Sequence, residues 1–289
     1  MYKLQPEMAR ELKNTNNRIY QNAPAGLSNT KCIITVGDVC TIKIYEQARM
    51  PDLSIIDFKT KRDNPLSVDQ MSIMNQIGEK IVNVNNNAGC NVPLVKFNVH
   101  CSGTHTETAS HVFSDADSIG NLLDLNFLPA VLISLNPESN LDDKYHSTIT
   151  LDDRIISKEM LKESLASETE FIDCIIIRTL PNSEDKKSKN YNNSSHPFLS
   201  NDAVYFLKDK GVKHIIIDTP SIDKSDDGGQ LKNHKLFFLN DDKTINKNTV
   251  TELAYIPDTC IDGRYFVCIG FPNFQLDAAP SNPVIYRVQ

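Results

Sequence analysis

No stretch of the 289 residues approaches the roughly 20 consecutive apolar residues that a bilayer span requires, so no membrane-spanning helix is expected. The seven cysteines are odd in number and contain no Cys-x-x-Cys pair. They read as reduced thiols, neither a disulfide framework nor a structural zinc finger. The opening Met1-Tyr2-Lys3-Leu4-Gln5-Pro6-Glu7 carries no apolar signal core, and a cytoplasmic location is expected. Basic charge is also scarce: 30 Lys and Arg stand against 37 Asp and Glu, a net charge of −7. That balance disfavours nucleic acid as the main partner, because phosphate binding wants a basic face. No Gly-x-Ser-x-Gly occurs, which disfavours a hydrolase built on a nucleophile elbow. What is present suffices for a sizeable core: 40% of residues are hydrophobic, in a length that suits one large domain or two small ones.

The densest chemistry lies in Val99-His100-Cys101-Ser102-Gly103-Thr104-His105-Thr106-Glu107-Thr108-Ala109-Ser110-His111. Imidazole, thiolate and carboxylate are the protein groups that hold borderline transition metals. Gly103 lets the chain turn sharply, so that side chains on either side of the turn can converge. Upstream, residues 94–101 alternate with period two, as a strand does. Val95, Phe97, Val99 and Cys101 then share one face, with Lys96, Asn98 and His100 on the other, so one of His100 and Cys101 is expected to reach a site formed with His105.

This stretch resembles the signature of the metal-dependent cyclase family, which includes bacterial kynurenine formamidases and isatin hydrolase. The family pattern is His-x-Gly-Thr-His-x-Asp-x-Pro-x-His. Gly103, Thr104, His105 and His111 match it, while Glu107 replaces the Asp, Ala109 replaces the Pro, and Cys101 stands where the first His is found. Later segments continue the resemblance in order: Asp218-Thr219-Pro220-Ser221-Ile222-Asp223, then His234, then Glu252-Leu253, and finally the tail from Asp277 to Val284. The resemblance implies that Cys101, His105 and Glu107 hold one metal ion. His234 and Glu252, with Glu107 bridging, would hold a second. His111 would be the general acid/base, with Ser221, Asp223 and Thr104 as supporting or wall groups. Zinc is expected over manganese if the Cys101 thiolate is a ligand. His100, His146, His196 and His214 read as non-site residues.

The rest of the chain supports an α/β reading. Leu4, Met8 and Leu12 are spaced for a short helix. Residues 31–63 read as strand, helix, strand, with Cys32–Val36 and Leu53–Asp57 extended and Val39–Met50 helical. Strands are expected over Phe127–Leu135, Phe171–Arg178 and Lys213–Asp218, and helices over Asp152–Leu165 and Ser200–Lys210. Ser183–Ser195 is charged and Asn-rich, and reads as a flexible surface excursion. Strands alternating with helices argue an α/β domain, whose sites form at strand carboxyl ends. The cyclase resemblance narrows the fold to a mixed-sheet, swivelling β/β/α domain over residues 91–289, preceded by a small α/β segment over residues 1–90.

That leading segment has its own resemblance. Val36-Gly37-Asp38-Val39 and Pro51-Asp52-Leu53-Ser54-Ile55-Ile56-Asp57-Phe58-Lys59-Thr60-Lys61-Arg62 are similar to the opening half of archaeal GTP-dependent dephospho-coenzyme A kinases. Asp38 past one strand and a basic cluster past another is the layout of a nucleotide site. That family's later Gly-Glu-Glu-Asp-type stretch has no counterpart downstream. Three readings therefore stand: a metal-dependent hydrolase of a small amide, formamide or lactam; a nucleotide-binding or phosphoryl-transfer module; and a metal-binding protein without turnover. The partners expected are a small-molecule substrate and further copies of the chain.

Overall fold

The computed structural model describes residues 98–288 apart from 123–124, 126, 140–142, 167–171 and 192–193. Upstream it describes residues 89–90 and the backbone of four strands. The strands are β1 (Ile33–Val36), β2 (Cys40–Arg49), β3 (Ser72–Met74), β4 (Leu94–Lys96), β5 (His105–Glu107), β6 (Leu128–Leu135) and β7 (Ile155–Ile156). They continue with β8 (Cys174–Thr179), β9 (Phe198–Leu199), β10 (His214–Ile217), β11 (Thr249–Glu252), β12 (Gly263–Gly270), β13 (Ala278–Pro280) and β14 (Asn282–Val288). Ten of them make one mixed sheet in the order β1-β2-β14-β12-β6-β8-β10-β11-β5-β13. The run β6, β8, β10, β11 is parallel, and the strands flanking it are antiparallel. The mixed sheet of the cyclase-like reading is thus present.

Chain connectivity shows that this sheet curls. β13 and β14 are separated in sequence by Ser281 alone, yet they terminate opposite ends of an eight-strand run. One residue spans about 3.5 Å at most, so the two ends must come together, as in a half-barrel. Backbone pairing closes the join: Ser281 N–H donates to Thr104 O at 3.1 Å.

Isoleucine-rich strands explain the two cores. In a strand, successive side chains take opposite faces, and parallel strands covered on both sides read as unbroken apolar runs. Val131, Ile133, Ile175, Ile177, Ile215 and Ile217 pack on one face against Leu161, Ala203, Val204 and Leu207 from the helices Lys158–Ser164 and Asn201–Asp209. Ala130, Leu132, Ile176 and Ile216 pack on the other against Tyr265, Val267 and Ile285. Both helices start at a serine whose hydroxyl accepts a backbone N–H: Ser157 from Met160 and Ser200 from Ala203. No helix among the described residues is long and apolar enough to cross a membrane.

Two expectations are corrected. Residues 39–50 were expected to be helical, but β2 is a strand, paired antiparallel with β1 and with β14. Cys40, Ile42 and Ile44 alternate with Thr41, Lys43 and Tyr45, and this β-branched alternation, next to the open edge of β14, favours extension. The alternation over residues 94–101 is interrupted as well. β4 ends at Lys96, and Val99–Cys101 form a turn closed by Ser102 N–H to Asn98 O at 3.1 Å. The expected helix near Leu4 and strand Leu53–Asp57 lie outside the described residues, as do Asp38 and the basic cluster Lys59, Lys61 and Arg62.

His214, at the start of β10, yields a stability prediction. It is buried, with Nδ1 2.8 Å from Thr249 Oγ1, and burial pushes its imidazole down to about 4 from 6.5. Between those values the unfolded chain takes the proton and the folded chain does not, so stability falls as pH drops through this window and is unaffected above it. The expected loss from pH 7 to pH 5 is about 2 kcal/mol. Urea midpoints for the native chain and His214→Gln check it: the variant should lose this part of the acid slope, and equal slopes would contradict it.

Candidate metal centre

β5 and β11 place three of the expected residues. Glu252 lies directly opposite His105, and Glu107 opposite Val250, in an antiparallel register. Directly opposed side chains share a face, so His105, Glu107 and Glu252 stand together on the face that carries the helices. Thr106 and Thr251 point the other way and meet at 2.7 Å. The fourth residue, His234, comes down onto this face from the helix Lys232–Phe237. Asp223 tethers that helix: its carboxylate accepts the backbone N–H groups of Asn233 and His234 at 2.9 and 3.1 Å.

The donor atoms converge. His234 Nε2 is 2.7 Å from Glu107 Oε1 and 3.2 Å from Glu252 Oε1. His105 Nε2 is 3.6 Å from Glu252 Oε2 and 4.0 Å from Glu107 Oε2. All four side chains are buried. The contacts are close, yet His105 Nε2, His234 Nε2 and both Glu107 oxygens have no hydrogen-bond partner.

Each imidazole is set by what its far nitrogen does. His105 Nδ1 lies 2.9 Å from Gly103 O, and a carbonyl only accepts, so the proton sits on Nδ1. His234 Nδ1 likewise donates to Asp223 Oδ2 at 2.8 Å. Both Nε2 atoms therefore face the carboxylates, an arrangement that wants a cation, a proton or a metal ion, between the groups. Two ligands each about 2.1 Å from one ion, at a tetrahedral angle, lie roughly 3.4 Å apart, and the observed separations bracket that value. The residues present thus fit a divalent metal.

A second cluster, His100, Glu107 and His111, shares Glu107 with the first. His100 Nδ1 is 3.1 Å from Glu107 Oε2, and His111 Nε2 is 3.8 Å from the same oxygen. Their other nitrogens both donate to Asp277 Oδ2, at 2.8 and 3.0 Å. Burial alone would push the His100 imidazole down, but its bonds to Asp277 and Glu107 lift it to about 10.

His100 is therefore part of the constellation, which corrects its reading as a non-site residue. Cys101, expected to point inward, joins none of the donor clusters among the described residues. Burial and the nearby Glu252 charge raise its thiol pKa, holding the proton on sulfur. The reason is the turn: once the strand ends at Lys96, parity no longer decides which side chain faces the site. Asp277 was not foreseen as a site residue, since its signal was only a carboxylate just before the β13 strand.

The supporting residues are placed as follows. Asp223 holds His234, and Ser221 Oγ accepts Asp223 N–H at 3.0 Å. Thr104 Oγ1 donates to Leu253 O at 2.8 Å, pinning β11 beyond Glu252. Leu253 and Leu231 have φ of 54° and 46°, a left-handed backbone that costs about 1 kcal/mol or more each and brackets two of the metal donors. His146, Asp223 and Asp227 form a third cluster. Its Asp223 is already engaged by Tyr145 Oη, by the Asn233 and His234 backbone and by His234 Nδ1, so it is not free to ligate. His196 bonds Asp223 O, and His214 lies at the far end of β10.

The curled mixed sheet and its His/Glu centre define a cyclase-like α/β protein. The Cyclase family profile matches residues 44–224, more than half of the chain, and the chain belongs to that family. Among solved structures it is similar to isatin hydrolase A from Ralstonia solanacearum, with 10% identity, a TM-score of 0.56 and 99% of each chain covered. It is also similar to a predicted metal-dependent hydrolase from Bacillus stearothermophilus, with 18% identity, a TM-score of 0.50, and 89% of this chain and 97% of that one covered. At such identities the likeness is one of fold.

Part of the chain is also similar to other proteins. A GTP-dependent dephospho-CoA kinase from Methanococcus maripaludis is 40% identical over 68 residues, covering 24% of this chain and 41% of that protein. One from Methanocaldococcus jannaschii is 32% identical over 90 residues, covering 31% and 51%. The chain thus spans about half the length of these curated relatives, or less.

Proposed function

We propose that this protein is a metal-dependent hydrolase of a small amide, formamide or lactam carbonyl. The observation that carries the reading is a set of four buried atoms without a hydrogen-bond partner, His105 Nε2, His234 Nε2 and both Glu107 oxygens, with the Glu252 carboxylate beside them. His105, Glu107, His234 and Glu252 would hold the ion, with Asp223 and Gly103 O orienting the two imidazoles. A bound divalent ion lowers the pKa of a water molecule and polarises the scissile carbonyl. The donors are two nitrogens and two carboxylates without a thiolate, which suits zinc or manganese, so the preference for zinc that rested on Cys101 falls away.

His111 is the proton carrier in this reading. Asp277 holds its Nδ1–H, which leaves Nε2 free to take the proton of an attacking water and return it to the departing nitrogen. His111→Ala is expected to lower turnover roughly 10²–10⁴-fold while metal content is unchanged. Loss of metal in that variant would make His111 a ligand instead. The reading as a whole is tested by metal analysis of the purified protein with a screen of amide, formamide and lactam substrates. A protein that takes up no divalent metal when supplied with zinc or manganese overturns it.

The partial match to dephospho-CoA kinases favours a second reading, a nucleotide-binding module. Because the match ends at about half of those relatives, the expected result is no GTP-dependent phosphorylation of dephospho-coenzyme A. Detectable product, or a nucleotide-induced rise in melting temperature, supports the module.

A further inference from the structure

Beyond the metal centre, the carboxyl ends of β6, β8 and β10 open into a cleft of about 610 Å³. None of the metal-centre residues lines it. Its wall is cationic and hydroxylated: Arg154, Lys186 and Lys189 face it with Thr179, Tyr191 and Thr219. Asp185 is the acidic group of the wall. The volume suits a small molecule, and strand carboxyl ends are where open α/β sheets take ligands. Ser183–Ser195, expected to be a free surface excursion, supplies much of this wall and contains the 3₁₀ turn Glu184–Lys187.

The three cations differ in what balances them. Lys186 is locked in place: Nζ donates to Asp218 Oδ2 at 2.8 Å, to Thr179 Oγ1 at 3.0 Å and to Thr179 O. Asp218 is buried and offsets that charge. Among the described residues Arg154 donates to the carbonyls of Leu151 and Asp153, at 3.3 and 3.2 Å. Lys189 Nζ lies 4.8 Å from the centre of the Tyr191 ring. Among the described residues neither Arg154 nor Lys189 has a carboxylate partner. In a chain of net charge −7, two cations without a carboxylate partner among the described residues thus face one concavity against the single wall carboxylate of Asp185, and a low-dielectric wall focuses their field.

We propose that this cleft binds a small organic anion, its phosphate or carboxylate group held by Arg154 and Lys189. The guanidinium fork supplies paired donors, the ammonium a point charge, and the wall hydroxyls complete the set. The cleft is mechanically linked to the metal centre. Thr219, in its wall, accepts Leu253 N–H at 2.8 Å, and Ile222 N–H, three residues on, donates to Glu252 Oε1 at 2.9 Å. An anion in the cleft therefore bears on the loop that orients Glu252 and Asp223.

The test is calorimetric titration of the full chain with inorganic pyrophosphate. The native protein should bind it saturably, and Glu107→Gln should bind equally, which excludes capture at the metal centre. The exposed double variant Arg154→Glu/Lys189→Glu should bind at least tenfold more weakly at an unchanged melting temperature. No saturable binding overturns the proposal, as does binding that is lost in Glu107→Gln and kept in the double variant. The source of the anion is read from kinetics. Competitive inhibition by pyrophosphate identifies the cleft with the acidic end of the substrate, and a change in kcat at constant KM identifies a separate effector. Binding stands or falls independently of the hydrolase reading, because it is measured without turnover.

Discussion

Glu107→Gln is expected to abolish tight metal binding and to reduce hydrolysis about a thousandfold or more. Glu107 is the one residue common to both donor clusters at the centre, and it is fully buried. Its carboxylate approaches His234, His100, His105 and His111 at 2.7, 3.1, 4.0 and 3.8 Å. Burial alone would raise its pKa, but the surrounding imidazoles, His234 first, hold it well below the usual carboxylate range. A neutral amide of the same size keeps the packing but removes the charge that a cation needs. Metal catalysis contributes several kcal/mol, and each 1.36 kcal/mol is tenfold in rate. The amide can also donate to His234 Nε2, satisfying an atom that now has no partner. The folded state is therefore expected to survive the change. Melting curves with and without a chelator make the check: chelation should lower the native protein's Tm and leave that of Glu107→Gln unmoved. A chelator that shifts neither protein would refute a resident metal.

Removing Arg178 is expected to have the largest effect on stability. The guanidinium is buried at the end of β8, and it ties three parts of the chain together. It donates to Ser134 Oγ of β6 at 2.8 Å, to the carbonyls of Pro257 and Cys260 at 2.8 and 2.7 Å, and to Asp262 Oδ1 at 3.0 Å. Asp262 in turn accepts Ser134 N–H and Oγ–H, at 2.8 and 2.7 Å. Leucine at this position would remove the guanidinium's charge-assisted hydrogen bonds, worth about 1.5–3 kcal/mol each, although Pro257 O keeps Cys260 N–H and Ser134 Oγ keeps Asp262. Arg178→Leu should therefore lose about 3 kcal/mol or more, read as a lower urea midpoint. Asp262→Ala should lose less, because the Asp262 side chain is half exposed and water replaces it. Equal losses in the two variants would mean that the carbonyl contacts contribute little.

The regular elements were legible because they obey local rules. Unbroken isoleucine runs mark strands buried on both faces, and Ser157 and Ser200 mark helix starts through their hydroxyls. Observed bounds differ from those expected by one to three residues at strand ends, where pairing with a neighbour decides. The longer discrepancy, Asp152–Leu165 expected against Lys158–Ser164 observed, arises because Ile155–Ile156 pair with Phe198–Leu199.

The resemblance to the cyclase signature, carried by motifs in the family's order, implied His105, Glu107, His234 and Glu252 as candidates, together with Cys101. What brings them into one pocket is tertiary: the β5–β11 register, and a helix tethered by Asp223 across eleven residues. The choice between His100 and Cys101 could not be read from period-two parity, because the turn at Val99–Cys101 breaks the parity on which the reading depended. Asp277 was invisible for a related reason. It reaches His111 across 166 residues only because the sheet curls and β13 closes beside β5. Local sequence marked most of the strands and helices, though not β2, and its family motifs marked which side chains can hold a metal. The curl of the sheet, a long-range consequence of strand order, decided which of those side chains meet.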